Sequence, residues 1–206
     1  SHIEKAKVIF PELIKKVKEC ATTNSKVVIT VCGGSGVGKS EIASLLAHYF
    51  ENMGVGCYTL SGDNYPHRIP VYNDAERLRI FRESAIRGMI TDGEYSFERF
   101  NIIHQYQLEN KDSEPKNIVK YPWYESYIRN GAMGLQGYLG TEKEINFFEI
   151  QNIVKEFKSG AEKIWLKRMG REDTELWYEE VDFSEKDILI IEWTHGNSKK
   201  YTCIVE

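Results

Sequence analysis

The sequence predicts an α/β fold, a parallel sheet flanked by helices, and three observations predict it. The run Lys26-Val-Val-Ile-Thr-Val-Cys32 is short, β-branched and almost wholly apolar, as strands buried on both faces of a parallel sheet are. The glycine-rich octapeptide Gly33-Gly-Ser-Gly-Val-Gly-Lys-Ser40 follows it directly. Helical spacing then resumes through Ile42, Leu45, Leu46 and Tyr49, and strand-helix alternation within one sheet implies right-handed crossovers.

Taken in order, Phe10, Leu13, Ile14 and Val17 repeat at helical spacing, with Pro11 at a tolerated first-turn position, so a helix is expected over about 8–20. A strand over 26–32, the octapeptide and a helix over 40–50 come next. A second strand, 55–60, ends at Ser61-Gly62-Asp63, and a helix over 74–89 turns Leu78, Phe81, Ala85 and Met89 inward with arginines 77, 79, 82 and 87 mostly outward. An aromatic-rich insertion, about 91–162, carries Tyr95, Phe97, Phe100, Tyr106, Tyr121, Trp123, Tyr124, Tyr127 and Tyr138. Such rings either stack on sugars or bases, or form a subcore of their own. Gly131, Gly134, Gly137 and Gly140 suggest an irregular loop that could serve as a lid. Thr141 and Glu144 stand at capping-box spacing before a helix through Ile150, Val154 and Phe157. Lys163–Met169 and Glu175–Val181 flank a turn-like Gly170-Arg171-Glu172-Asp173, which reads as a small β-hairpin. Asp187-Ile-Leu-Ile-Ile is a further buried parallel strand closing at Glu192, and Lys200–Glu206 reads as one more.

Composition narrows the classes. A chain of 206 residues, 41% hydrophobic, can bury a proper core and is expected to form one globular unit over 1–206. With 27 basic and 31 acidic residues the net charge is −4, so charge gives no argument for nucleic acid or an anionic membrane as partner. Cys20, Cys32, Cys57 and Cys203 are scattered without a C-x-x-C pair, which suggests reduced thiols in the cytoplasm and argues against zinc. No apolar run approaches the roughly 18 residues of a membrane span, and no signal-peptide pattern is present. Ser1-His2 reads as a vector-derived scar.

The octapeptide fits G-x-x-x-x-G-K-[ST] between a strand and a helix, with Gly33, Gly38, Lys39 and Ser40 at the required places. Glycines let the loop turn its amides around phosphate oxygens, and the helix N-terminus adds partial positive charge. Gly33, Gly34, Ser35, Gly36, Val37, Gly38, Lys39 and Ser40 are therefore the nucleotide-binding residues expected here, Lys39 on the phosphates and Ser40 on Mg²⁺. The plain alternative is a glycine-rich αβ turn. Asp63, just past the second strand, stands at the sheet edge where ligands bind in open α/β folds and could take the proton of an attacking hydroxyl; otherwise it starts an Asx-turn before Pro66. Glu192 could act on Mg²⁺ through water, or be a solvated strand end. His67, Arg68, Arg168 and His195 are candidate substrate contacts, with Arg171 near the hairpin turn, although surface roles suit them as well.

These residues together resemble the uridine kinase and phosphoribulokinase group of P-loop kinases: the octapeptide, Ser61-Gly-Asp-Asn-Tyr65 after the second strand, and Ile188-Leu-Ile-Ile-Glu192. The resemblance implies that the loop binds ATP, that Asp63 is the catalytic base, and that a short hairpin helps form the acceptor site. Trp193 replaces the glycine that usually follows the strand-ending glutamate. Glu192-Trp-Thr-His-Gly-Asn-Ser198, with Ile164-Trp-Leu-Lys-Arg-Met-Gly-Arg-Glu172, looks closer to sugar-kinase modules fused to some bacterial α-galactosidases. Leu60-Ser-Gly-Asp-Asn-Tyr-Pro-His-Arg68 is also similar to adenylylsulfate kinases. The first resemblance further implies an arginine-rich lid after a fourth strand, whereas the sequence stops at Glu206; either the chain is truncated or a lid comes from elsewhere. The expectation is an ATP- and Mg²⁺-dependent kinase that phosphorylates a hydroxyl of a sugar or nucleoside. The alternatives are an adenylylsulfate kinase-like enzyme and a nucleotide-binding regulatory module without transfer chemistry.

Overall fold

The structure, a computed structural model, describes residues 2–23 and 25–195. In chain order the elements are α1 (His2–Ala21), β1 (Val27–Cys32), α2 (Lys39–Asn52), β2 (Cys57–Ser61), α3 (Pro70–Thr91), α4 (Phe97–Leu108), α5 (Asn117–Lys120), α6 (Tyr124–Gln136), α7 (Phe147–Lys158), β3 (Lys163–Met169), β4 (Leu176–Asp182) and β5 (Ile188–Trp193). They fall into two compact units: one runs to Pro66 and resumes at Ile145, and the other is His67–Glu144. The stretch expected as one insertion over about 91–162 is thus shared, its helix α7 belonging to the first unit.

In the first unit β1, β5 and β2 form a parallel sheet in the order β1-β5-β2. Every residue of β5 is buried, which is why that strand reads as an uninterrupted apolar run rather than an alternating one. Burying Ile188, Leu189, Ile190 and Ile191 contributes roughly 1.5–3 kcal/mol per side chain. One face of the sheet packs Ile29, Ile188 and Ile190 on Leu46 and Phe50 of α2, with Phe10 and Leu13 of α1 alongside. The other packs Leu60, Leu189 and Ile191 with Ile150, Val154 and Phe157 of α7 and Ile164 and Leu166 of β3. The expected hairpin is present as the antiparallel pair β3-β4.

The second unit is helical, with α3 against α6 around Phe81, Ala85, Met89, Tyr124 and Tyr127. The aromatic residues of the insertion therefore include a subcore: Tyr124, Tyr127 and Tyr138 are buried. Three local expectations are corrected. Gly131 and Gly134 lie inside α6 rather than in an irregular loop, because side chains there would run into Phe81 and Ser84 of α3. Thr141 and Glu144 form no capping box. Glu144 is instead buried and accepts hydrogen bonds from Arg77, Asn73 and the Gly140 amide, and α7 is capped by Asn146, whose side chain accepts from the Glu149 amide. Of the four arginines placed outward on α3, Arg79 and Arg87 stay on the surface, but Arg77 reaches Glu144 and Arg82 grips buried Asp112 through two nitrogens. The strand expected over Lys200–Glu206 lies outside the described residues.

Candidate functional site

Parallel pairing brings three strand ends together. Along β5, Glu192 stands in register with Val31 of β1 on one side and Ser61 of β2 on the other. The residues that follow those two neighbours are the glycine-rich loop and the Gly62–Asn64 turn that carries Asp63. Glycine is required within the loop: Gly36 and Gly38 sit at φ of 73° and 88°, the left-handed region that disfavours any Cβ. Gly38 caps α2, so the loop amides and the helix N-terminus share one edge.

Lys39 opens α2 with its ammonium 3.0 Å from the Gly34 carbonyl and 3.9 Å from the Glu192 carboxylate. Burial pushes the Glu192 carboxyl above the ordinary glutamate value, and the charge of Asp63 adds to the rise; Lys39 and a hydrogen bond from Ser40 oppose it. Glu192 is therefore not a solvated strand end. Lys39, Ser40, Asp63 and Glu192 form one electrostatic group, and its cation and hydroxyl belong to the loop.

Asp63 is the exposed member of a turn that is otherwise tied down. Gly62 lies so close to the Trp193 ring that a side chain has no room. Tyr65 is buried, and its carbonyl accepts from the Asn146 amide at 2.8 Å. The Asn64 side chain accepts from the Met169 amide at 3.0 Å, and the Pro66 carbonyl accepts from the Lys167 ammonium at 3.1 Å. Trp193, the departure from the uridine kinase pattern, is thus the surface on which the turn rests.

The other candidates have the following neighbours. Arg168 donates to the Tyr58 hydroxyl and to Glu179, which occupies its guanidinium within the hairpin and sheet. The Arg171 amide donates to Glu175 in the hairpin turn. His195 lies past the end of β5 with its ring against Trp193. His67 and Arg68 open the second unit and are bonded inside it, His67 to the Glu142 carbonyl and Arg68 to the Tyr138 hydroxyl. Sequence reasoning missed Lys167, Asn64 and Trp193 as parts of the site; the available signal was a lysine amid the alternating apolar residues of a hairpin. Among the described residues no cluster of three or more His, Cys, Asp or Glu side chains offers a metal cage. No described helix is long and apolar enough to cross a membrane.

The Zeta toxin family model matches residues 11–88, which take in the second half of α1, the loop, Asp63 and most of α3. The bifunctional alpha-galactosidase/sucrose kinase AgaSK of Mediterraneibacter gnavus is 38% identical over 188 residues, 90% of this chain and 15% of that protein. The chain thus spans about 15% of the length of this curated relative. Both likenesses support a P-loop kinase, and neither points to the uridine kinase group in particular. The chain has a P-loop kinase-like α/β fold, similar to Zeta toxins over residues 11–88 and to a sucrose kinase-bearing protein over nearly its whole length.

Proposed function

We propose that this chain is an ATP-dependent kinase that transfers the γ-phosphoryl group to a hydroxyl of a sugar, with sucrose as the first acceptor to examine. The observation that carries the reading is the register of β5, which sets Glu192 between the strand that leads into the phosphate-binding loop and the strand that leads to Asp63. The similarity to a protein named as a sucrose kinase supports the choice of acceptor class.

In this reading the loop amides of residues 33–40 and the Lys39 ammonium hold the β- and γ-phosphates. The acceptor hydroxyl oxygen forms a bond to the γ-phosphorus while the bond from that phosphorus to the β–γ bridging oxygen breaks, releasing ADP. Asp63 takes the hydroxyl proton. Its exposure leaves the carboxylate open to an acceptor, and the tied turn holds it in place, so catalysis is chiefly positioning and charge management. The Ser40 hydroxyl and the Glu192 carboxylate, which lie in one electrostatic group, are hard oxygen donors of the kind that suits Mg²⁺. When bound there, the cation would neutralise phosphate charge.

The test is transfer of label from γ-labelled ATP to a panel of sucrose, monosaccharides, nucleosides and adenylylsulfate. Labelled sugar phosphate that forms only with acceptor present is the expected result. ATP binding or slow hydrolysis that no acceptor alters would overturn it in favour of a nucleotide-binding switch, and transfer to adenylylsulfate alone would reassign the acceptor.

A further inference from the structure

The hairpin β3-β4 does more than cover the sheet. Along β3, Ile164 and Leu166 enter the core beside Leu60 and Ile191, and alternation turns the intervening Trp165 and Lys167 to the opposite side. Trp165 is exposed there, yet Lys167 is 7% exposed. Lysines are seldom buried without a demanding partner. Among the described residues its hydrogen-bond partner is a backbone oxygen: Nζ donates to the Pro66 carbonyl at 3.1 Å. Two residues further along the strand, the Met169 amide donates to Asn64 Oδ1 at 3.0 Å. Positions 167 and 169 of β3 therefore hold two residues that follow Asp63, Asn64 directly after it and Pro66 three positions after it.

The electrostatic setting agrees. Burial lowers the Lys167 affinity for its proton, and the Glu149 carboxylate opposes that effect. Glu149 is itself fixed, accepting from the Tyr178 hydroxyl at 2.8 Å and from the Asn146 amide group at 3.0 Å. Tyr178 is the residue paired with Lys167 across the hairpin, and the Asn146 backbone amide holds the Tyr65 carbonyl. The Asp63 turn, β3, β4 and the first turn of α7 are thus joined by one polar network with Lys167 inside it. An apolar side chain would fill the same space without desolvating a charge, so packing alone gives no reason for a lysine.

We propose that Lys167 is a positioning residue: through the Pro66 carbonyl it fixes the height and direction of the turn from which Asp63 reaches the acceptor hydroxyl. The role in catalysis rests on the kinase reading above; the brace itself does not. A lost brace lets the Asp63 carboxylate wander, and a misplacement of about 1 Å in a reacting group costs on the order of 100-fold in rate. The nucleotide, held by the loop on the far side of β5, is untouched by the change.

The experiment uses the whole chain as wild type, Lys167→Met and Lys167→Arg, with two readouts. Amide hydrogen exchange at Gly62–Tyr65 is expected to quicken about tenfold or more in Lys167→Met with β5 unchanged, and to stay near wild type in Lys167→Arg. With ATP and sucrose, kcat is expected to fall about 30- to 100-fold in Lys167→Met while the KM for ATP shifts less than about twofold, and Lys167→Arg is expected to recover most of the loss. Exchange at Gly62–Tyr65 that does not change, or that rises equally in β5, overturns the brace. A released turn with undiminished kcat overturns the positioning role. Failure of the wild type to phosphorylate any acceptor overturns the kinase reading alone, and the exchange result then still decides whether Lys167 braces the turn.

Discussion

The Lys39 ammonium lies 3.9 Å from the Glu192 carboxylate, and the two side chains are 11% and 9% exposed. The Glu192 carboxyl is held above its ordinary pKa by burial first and by the charge of Asp63 second, with Glu41 adding to the rise and Lys39 opposing it. The ionised form costs stability at neutral pH, and the cost fades as pH falls through the folded-state value. Glu192→Gln keeps an acceptor for Ser40 and removes that cost. Thermal unfolding at neutral pH is expected to show little loss of stability, whereas turnover falls about 10- to 100-fold, the scale set by groups that support a metal site.

Asp63 is expected to matter to chemistry and not to nucleotide affinity. Its turn is fixed by neighbours rather than by its own side chain, so Asp63→Asn leaves the backbone in place. Steady-state kinetics are expected to show kcat lower by about 10²–10⁴, the usual contribution of a general base. Calorimetric ATP affinity should stay close to wild type.

Lys39→Ala has the opposite profile. It removes the cation that faces both the Gly34 carbonyl and Glu192, and leaves a buried carboxylate with less compensation. Loss of such a phosphate clamp is worth about 10²–10³ in rate, and ATP binding by calorimetry should weaken together with kcat/KM.

In the second unit, Glu144 shows how a buried acid is kept ionised. Burial alone would raise its pKa, but hydrogen bonds from the Gly140 amide, Asn73 and Arg77 outweigh it and hold the value below the ordinary one. The stability this contributes is present above the unfolded carboxylate pKa and is lost as pH falls through the folded value. Arg77→Ala, which leaves Glu144 buried with fewer donors, is expected to cost about 2–4 kcal/mol in urea unfolding at neutral pH, and progressively less as acid protonates Glu144.

Two glycines of α6 separate close packing from helix propensity. Alanine is favoured over glycine in a helix by about 1 kcal/mol, yet at Gly131 the added carbon would meet the Phe81 ring, and at Gly134 it would meet both the hydroxyl and the Cβ of Ser84. A buried aromatic ring cannot step aside, and overpacking costs about 1–3 kcal/mol. The Ser84 Cβ is fixed to its helix as well, so Gly131→Ala and Gly134→Ala are both expected to lower the unfolding midpoint clearly.

Much of the first unit could be read from residues alone because its signals are local. The apolar runs at 27–32 and 188–191 and the octapeptide between strand and helix each carry their meaning within a few positions. What escaped depends on distant partners. That β5 pairs between β1 and β2 cannot be deduced from any of the three strands separately, although it is what aligns Glu192 with Ser61. Glu144 has capping-box spacing from Thr141, and only the arrival of Arg77 and Asn73 from α3 makes it a buried acid. The glycines of α6 look like loop residues until Phe81 and Ser84 stand opposite them. The role of Lys167 is hidden for the same reason: its hydrogen-bond acceptor is a backbone oxygen 101 positions away.

The chain leaves the first unit after Pro66 and returns to it at Ile145, and these two residues pair directly as an antiparallel bridge, with the His67 amide bonded to the Glu144 carbonyl one step beyond. Departure and return are therefore neighbours. Everything from 67 to 144 could be cut out and the ends ligated by a short turn without redrawing the parallel sheet, and a foreign helical segment with adjacent termini could be spliced in its place. The fold is thereby open to exchange at one seam, while the parallel sheet and its glycine-rich loop are carried over intact.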